Sequence, residues 1–125
     1  MGTGLPTQYR NTNGFVSFTR DPASSHKLGF DSGTLLWIGT NQCLRIDCPR
    51  IAGAAKASYP DSGSSAEVYT NPNPTPYVEL ELLGPMSKLP VGGRMELATT
   101  YKLFYRQETD PALEAQRLMS EPPWF

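Results

Sequence analysis

The chain has 125 residues, which fits one domain with a real core and leaves little room for two. Twelve prolines and eleven glycines cut it into short elements, yet an apolar fraction of 38% is too high for a wholly disordered segment. Eleven basic against twelve acidic side chains leave a net charge of -1, which supplies no field to hold a polyanion, so no nucleic-acid partner is expected.

The opening, MGTGLPTQYRNTNG, reads as a flexible lead-in over residues 1–14. FVSFTR is a short strand bounded by the turn-rich DPASSH. KLGF, TLLWIGT and QCLRIDC follow as strands, the last two joined at Thr40-Asn41 as a hairpin that Pro49 ends. Residues 50–65 read as a long loop with a brief helical turn. AEVYT resumes strand character until NPNPTP interrupts it, since proline has no place inside a ladder. In YVELELL the side chains alternate, with Val78, Leu80 and Leu82 on one face and Tyr77, Glu79, Glu81 and Leu83 on the other. RMELATTYKLFYR reads as one long final strand.

The tail differs in kind. Asp110 can cap a helix, Pro111 suits its first position, and Leu113, Gln116 or Arg117 and Met119 continue it until Pro122-Pro123. Trp124 and Phe125 then either pack back over a sheet or contact another chain. The expected organisation is a lead-in at 1–14, an antiparallel β domain at 15–108 and a short helix with an aromatic tail at 109–125.

No run approaches the roughly 20 apolar residues that cross a bilayer, so no membrane partner is expected. The first thirty residues lack the pattern of a signal peptide, and the expected compartment is cytoplasmic unless an upstream targeting segment is missing. Cys43 and Cys48 lie five positions apart on an expected strand, which separates them by about 16 Å and puts them beyond disulfide reach. With one distant histidine they do not make a metal site, and no cofactor is expected.

The most suggestive feature is the face formed by Tyr77, Glu79 and Glu81, which neighbouring strands extend with Arg45, Asp47, Glu67 and Tyr69. Glutamates at i and i+2 of a strand place their Cβ atoms about 6.5–7 Å apart, a separation a sugar ring can span. The plain alternative is a solvated sheet face, which alternating Glu also describes. Trp37, Tyr59, Tyr69, Tyr77, Tyr101 and Tyr105 either pack in the core or offer a stacking platform for a sugar. The single histidine, His26, sits in a polar turn with an expected structural role, and neither a G-x-S-x-G elbow nor a phosphate loop occurs.

LLWIGTNQCLRI, YPDSGSSAEVYTN, YVELELLGPMSKLPVGG and the closing strand through Tyr105 resemble the C-terminal part of the uncharacterised DUF4380 family, which is related to galactose mutarotase-like (aldose 1-epimerase-like) proteins. The resemblance covers residues 27–106. It implies a mainly β fold, an antiparallel β-sandwich like a truncated supersandwich, with a short C-terminal helix. It also implies that Glu81 is the counterpart of the mutarotase general base and Glu79 a neighbouring polar contact, with no histidine in a matching context to act as the acid. Six or seven short strands cannot close a supersandwich alone, so a homodimer is expected to hide the open edges. The expected function is carbohydrate binding through the polar-aromatic face by Glu79, Tyr69, Tyr77, Arg45 and Glu67. Two alternatives stand beside it: a structural or protein-interaction module without a small ligand, and aldose epimerase-like chemistry with Glu81 as base.

Overall fold

The computed structural model describes residues 4–6 and 8–123. In chain order they form β1 (Arg10–Thr12), β2 (Phe15–Ser17), β3 (His26–Phe30), β4 (Thr34–Ile38), β5 (Gln42–Asp47), a 3-10 turn (Lys56–Ser58), α1 (Pro60–Gly63), β6 (Ala66–Thr70), β7 (Val78–Leu82), β8 (Thr100–Tyr105) and α2 (Pro111–Ser120). Turn chemistry sets the first two hairpins. Asn13 and Gly14 take positive φ of 53° and 80° and join β1 to β2 in two residues, a turn whose hand matches the twist of the strands. Around Thr40-Asn41, Gly39 N–H donates to Gln42 O at 2.9 Å and β4 turns into β5.

The strands pair as three antiparallel sheets, β1–β2, β3–β6–β7 and β4–β5–β8. Directly opposed residues share a face, so the rows Leu28–Val68–Leu80 and Phe30–Ala66–Leu82 lie on one side of β3–β6–β7. Leu35 of β4 is buried with Ala66 and Val68, and Phe18, Phe30, Leu80 and Leu82 pack against them. This small cluster joins the two larger sheets. The other side of β5 carries Cys43, Arg45 and Asp47, all buried.

That second side is covered by α2. Asp110 caps the helix, its Oδ1 accepting from Ala112 N–H at 2.7 Å and Leu113 N–H at 3.2 Å, and Pro111 occupies the first turn. Leu118 is fully buried. Arg45 Nη1 donates to Leu118 O and Glu121 O at 2.7 and 2.8 Å, satisfying carbonyls that the end of a helix leaves without partners. Its Nε donates to Asp47 Oδ2 at 2.7 Å, while Asp47 Oδ1 accepts from Thr34 Oγ1 at 2.7 Å. Glu114, also fully buried, accepts from Arg117 Nη2 and Nε at 2.5 and 2.9 Å and from Glu108 N–H at 3.0 Å. A buried charge is tolerated where every oxygen has such partners.

These contacts correct the expected mainly β antiparallel sandwich. The protein is a mixed α/β fold with three open antiparallel sheets and two helices, and among the described residues no sheet closes into a sandwich. The reason lies in residues 83–99, which form no strand, so that only Thr100–Tyr105 of the expected long final strand enters a ladder. β1 lies inside the stretch read as a lead-in. Cys43 and Cys48 are free and buried. Trp124 and Phe125 lie outside the described residues.

The Arg117 guanidinium, helped by the Glu108 and Gln107 amides and opposed by burial, holds the Glu114 carboxyl down at about 2. A carboxylate depressed in the folded state contributes stability above its ordinary pKa of 4.5 and loses it as pH falls toward the folded value. The melting temperature is therefore expected to drop between pH 4.5 and about 2, and Glu114→Gln is expected to melt lower at neutral pH and show a flatter acid limb over that window. Thermal melts by circular dichroism across that range check both.

Candidate functional site

Two surfaces carry chemistry, one on the outer side of β3–β6–β7 and the other on the inner face of β4–β5–β8. On the side turned away from the core, the ladder opposes Lys27, Tyr69 and Glu79 in one row and Gly29, Glu67 and Glu81 in the next. Lys27 Nζ lies 2.6 Å from Glu67 Oε2, 3.8 Å from Glu81 Oε2 and 3.9 Å from Asp61 Oδ2. Asp61 and Ser62 reach this position through left-handed backbone, with φ of 47° and 64°. Gly29 leaves room for the loop, since a Cβ there would sit 3.1 Å from Ser64 Cβ.

One ammonium thus serves three carboxylates. Burial pushes the Glu67 carboxyl up, against the pull of Lys27 and with a further push from Asp61. Lys27 is raised in turn, chiefly by its hydrogen bond to Glu67. The buried charge is compensated locally rather than left open to a ligand. Beside it, Tyr69 Oη donates to Asn71 Oδ1 at 2.8 Å, and the Tyr69 and Tyr77 rings lie 5.8 Å apart, tilted by 42°. Burial, followed by Tyr69 and Glu79, raises the Tyr77 hydroxyl.

The register brings Glu67, Tyr69, Glu79 and Glu81 onto one face, with Tyr77 against Tyr69. Arg45 and Asp47 do not join them. They belong to the other sheet, paired with each other beneath α2, where Arg45 is 4% exposed and holds the helix end. His26 lies on the reverse side of β3 from Lys27, its Nε2 3.2 Å from Asp21 Oδ2 and its Nδ1 3.1 Å from Gly4 O, so no imidazole faces Glu81.

The second surface is the inner face of β4–β5–β8. Leu35, Ile46 and Tyr101 form one row and Trp37, Leu44 and Leu103 the next, with Tyr105 beyond. Leu35 and Ile46 are buried, but Tyr101, Leu103 and Tyr105 are 66, 76 and 81% exposed and Trp37 is 45% exposed. Between this face and β7 runs an open groove of about 610 Å³ lined by Arg20, Trp37, Leu44, Tyr77, Val78 and Tyr101, among others. Arg20 is held at its rim by Asn71 O at 3.0 Å and Asn73 Oδ1 at 3.1 Å.

Of the aromatic residues named from the sequence, Tyr59 is buried and has the Arg50 guanidinium 4.3 Å from its ring centre. Leu103 carried no sequence signal of its own. Its exposure follows from its position on an uncovered face, although the alternation in TYKLFY marks it as sharing that face with Tyr101 and Tyr105. Among the described residues, no group of three or more His, Cys, Asp or Glu side chains could hold a metal ion, and no helix is long and apolar enough to cross a membrane. Compared with known proteins, the chain matches no family model, no curated protein and no solved structure.

Removing Lys27 strands the 2%-exposed Glu67 carboxylate beside Asp61 and Glu81. Lys27→Met is expected to lower stability, because the exposed ammonium is the cation that compensates the buried Glu67 carboxylate and its loss leaves that charge without a counterion. Adding Glu67→Gln to that variant is expected to restore most of the loss in urea unfolding, and equal midpoints for the single and double variants would refute this account.

Proposed function

We propose that this chain is a protein-interaction module that binds a second polypeptide along β8. The observation that carries this reading is the exposure of Tyr101, Leu103 and Tyr105 on a strand at the edge of its sheet. A soluble surface scatters single apolar side chains; a contiguous apolar row on an edge strand, next to an apolar groove, has the character of an interface. Tyrosine and tryptophan suit that role, since each buries a large area at little conformational cost and retains a polar tip. The apolar row continues across β5 through Leu44 to Trp37, so a partner strand added to β8 would gain both ladder hydrogen bonds and side-chain cover.

A photoreactive phenylalanine analogue placed at Leu103 tests this in cells making the full chain. Irradiation is expected to give a discrete adduct to one polypeptide, while the same group at Arg10, exposed on β1, gives none. The absence of any adduct from position 103 would overturn the reading.

A second reading is saccharide binding across the outer, polar face of β3–β6–β7. It is favoured by the ladder register that gathers Glu67, Tyr69, Glu79 and Glu81 beside Tyr77. Here Glu79 and Glu81 would orient hydroxyl groups and Tyr69 or Tyr77 would stack on the sugar. Epimerase-like proton removal by Glu81 would further need an acid that no histidine provides on that face. Titrating a panel of monosaccharides in heteronuclear NMR is expected to move the amides of β6 and β7 saturably, with binding weakened about tenfold in Glu81→Gln, the loss of one charge-assisted hydrogen bond. Unmoved amides across the panel would dispose of this second reading.

A further inference from the structure

We infer that the partner of β8 is a second copy of this chain, joined antiparallel about a two-fold axis at Leu103 to make a continuous six-stranded sheet. This rests on the reading of β8 as an interaction strand and adds the identity and register of what it binds.

Three observations carry it. The first is the direction of the backbone groups. Arg106 N–H donates to Asn41 O at 2.9 Å, one pair beyond Gln42 opposite Tyr105. An antiparallel ladder alternates every residue between pairs that exchange hydrogen bonds and pairs that do not. Phe104 and Lys102 therefore turn their backbone groups toward β5, and Tyr101, Leu103 and Tyr105 turn theirs outward past the edge. The Tyr105 carbonyl also takes a contact from Arg117 Nη2 at 3.3 Å.

The second observation is apolar self-matching. With Leu103 on the axis, Leu103 meets its own copy, and Tyr101 meets Tyr105 of the second copy at both ends. All six of these side chains lie on the uncovered face, where an isologous contact uses one patch twice.

The third observation is charge, and it selects this register from its neighbours. Centred on Lys102, the pairing sets two ammonium groups directly opposite each other. Centred on Phe104, it sets Lys102 against Arg106 of the second copy. Centred on Leu103, it sets Lys102 opposite Phe104 and Thr100 opposite Arg106, with no like charges opposed from residue 97 to residue 109. Within one chain Lys102 Nζ already lies 4.8 Å from the Phe104 ring centre, so cation and ring are complementary neighbours at this edge.

Directly opposed, hydrogen-bonded residues of an antiparallel pair have Cα atoms about 5.5 Å apart, within the range a disulfide spans. The native cysteines are buried, which makes an introduced thiol selective. The 125-residue chain is expected to sediment at twice 13.8 kDa. Leu103→Cys is expected to oxidise to a covalent dimer, and Thr100→Cys, whose opposite number is Arg106, is not. Leu103→Arg places two cations on the axis and is expected to weaken the dimer by about 100-fold or more, with unchanged circular dichroism. A monomer at every concentration, or a dimer in which Thr100→Cys cross-links and Leu103→Cys does not, would overturn the inference. An adduct of Leu103 to a polypeptide of another mass would overturn it while leaving the interaction reading standing, and no adduct at all would remove both.

Discussion

One helix cannot cover both faces of a three-stranded sheet, and this constraint runs through the structure. The ten residues of α2 lie over the outer side of β4–β5–β8, anchored by Leu118 in the core and by Arg45 at the helix end. The inner side has only the Leu35, Ala66 and Val68 cluster and the few side chains packed on it. That cover reaches Leu35 and Ile46 and stops short of β8, leaving Tyr101, Leu103 and Tyr105 in water. Apolar area that the chain does not bury within itself remains available to lower the free energy of an association.

The two larger sheets, β3–β6–β7 and β4–β5–β8, show how differently polar and apolar surplus are handled. Glu67, Glu81 and Asp61 gather around Lys27, and the charges compensate one another inside the chain. Backbone strain at Asp61 and Ser62 is part of that arrangement, since φ near +50° to +60° is disfavoured for side chains yet brings the Asp61 carboxylate within reach of the lysine. Nothing comparable answers the tyrosines of β8. Exposed apolar side chains cannot neutralise one another across a distance as charges can; they need contact with another apolar surface.

The buried ionic groups tie the outer face of β4–β5–β8 and the segment after β8 to the helix with directional bonds. Arg45 links β5 to the last turn of α2, and Glu114 links the first turn to the segment after β8 through the Gln107 and Glu108 amides. Both groups sit where removal of a partner would leave a charge in a low-dielectric interior. They make the position of α2 specific in a way that a Leu-only seam would not, and through it they determine which side of β8 faces solvent.

The alternation in YVELELL and AEVYT, the Asp110-Pro111 start and the Thr40-Asn41 turn are local patterns, so the strands β4 to β7, the helix α2 and the shared facing of Glu79 and Glu81 could be read from residues alone. The Asn13-Gly14 hairpin was equally local, and its two positive-φ residues are the signal that marks β1 and β2. Which strands become neighbours is not local. Val68 pairs with Leu80 of the next strand on one side but on the other with Leu28, across the whole β4–β5 hairpin, and no period in the sequence encodes that choice. The same holds for Arg45, whose alternation fits an exposed polar face as well as a buried one until Leu118 of α2, 73 positions downstream, arrives to cover it. Sequence alone determined where the backbone extends, turns and coils, because those preferences reside in a few adjacent residues. Only the tertiary structure decided which face was buried, which carboxylates met one lysine and which tyrosines were left exposed, because burial depends on how distant segments compete for the same sheet.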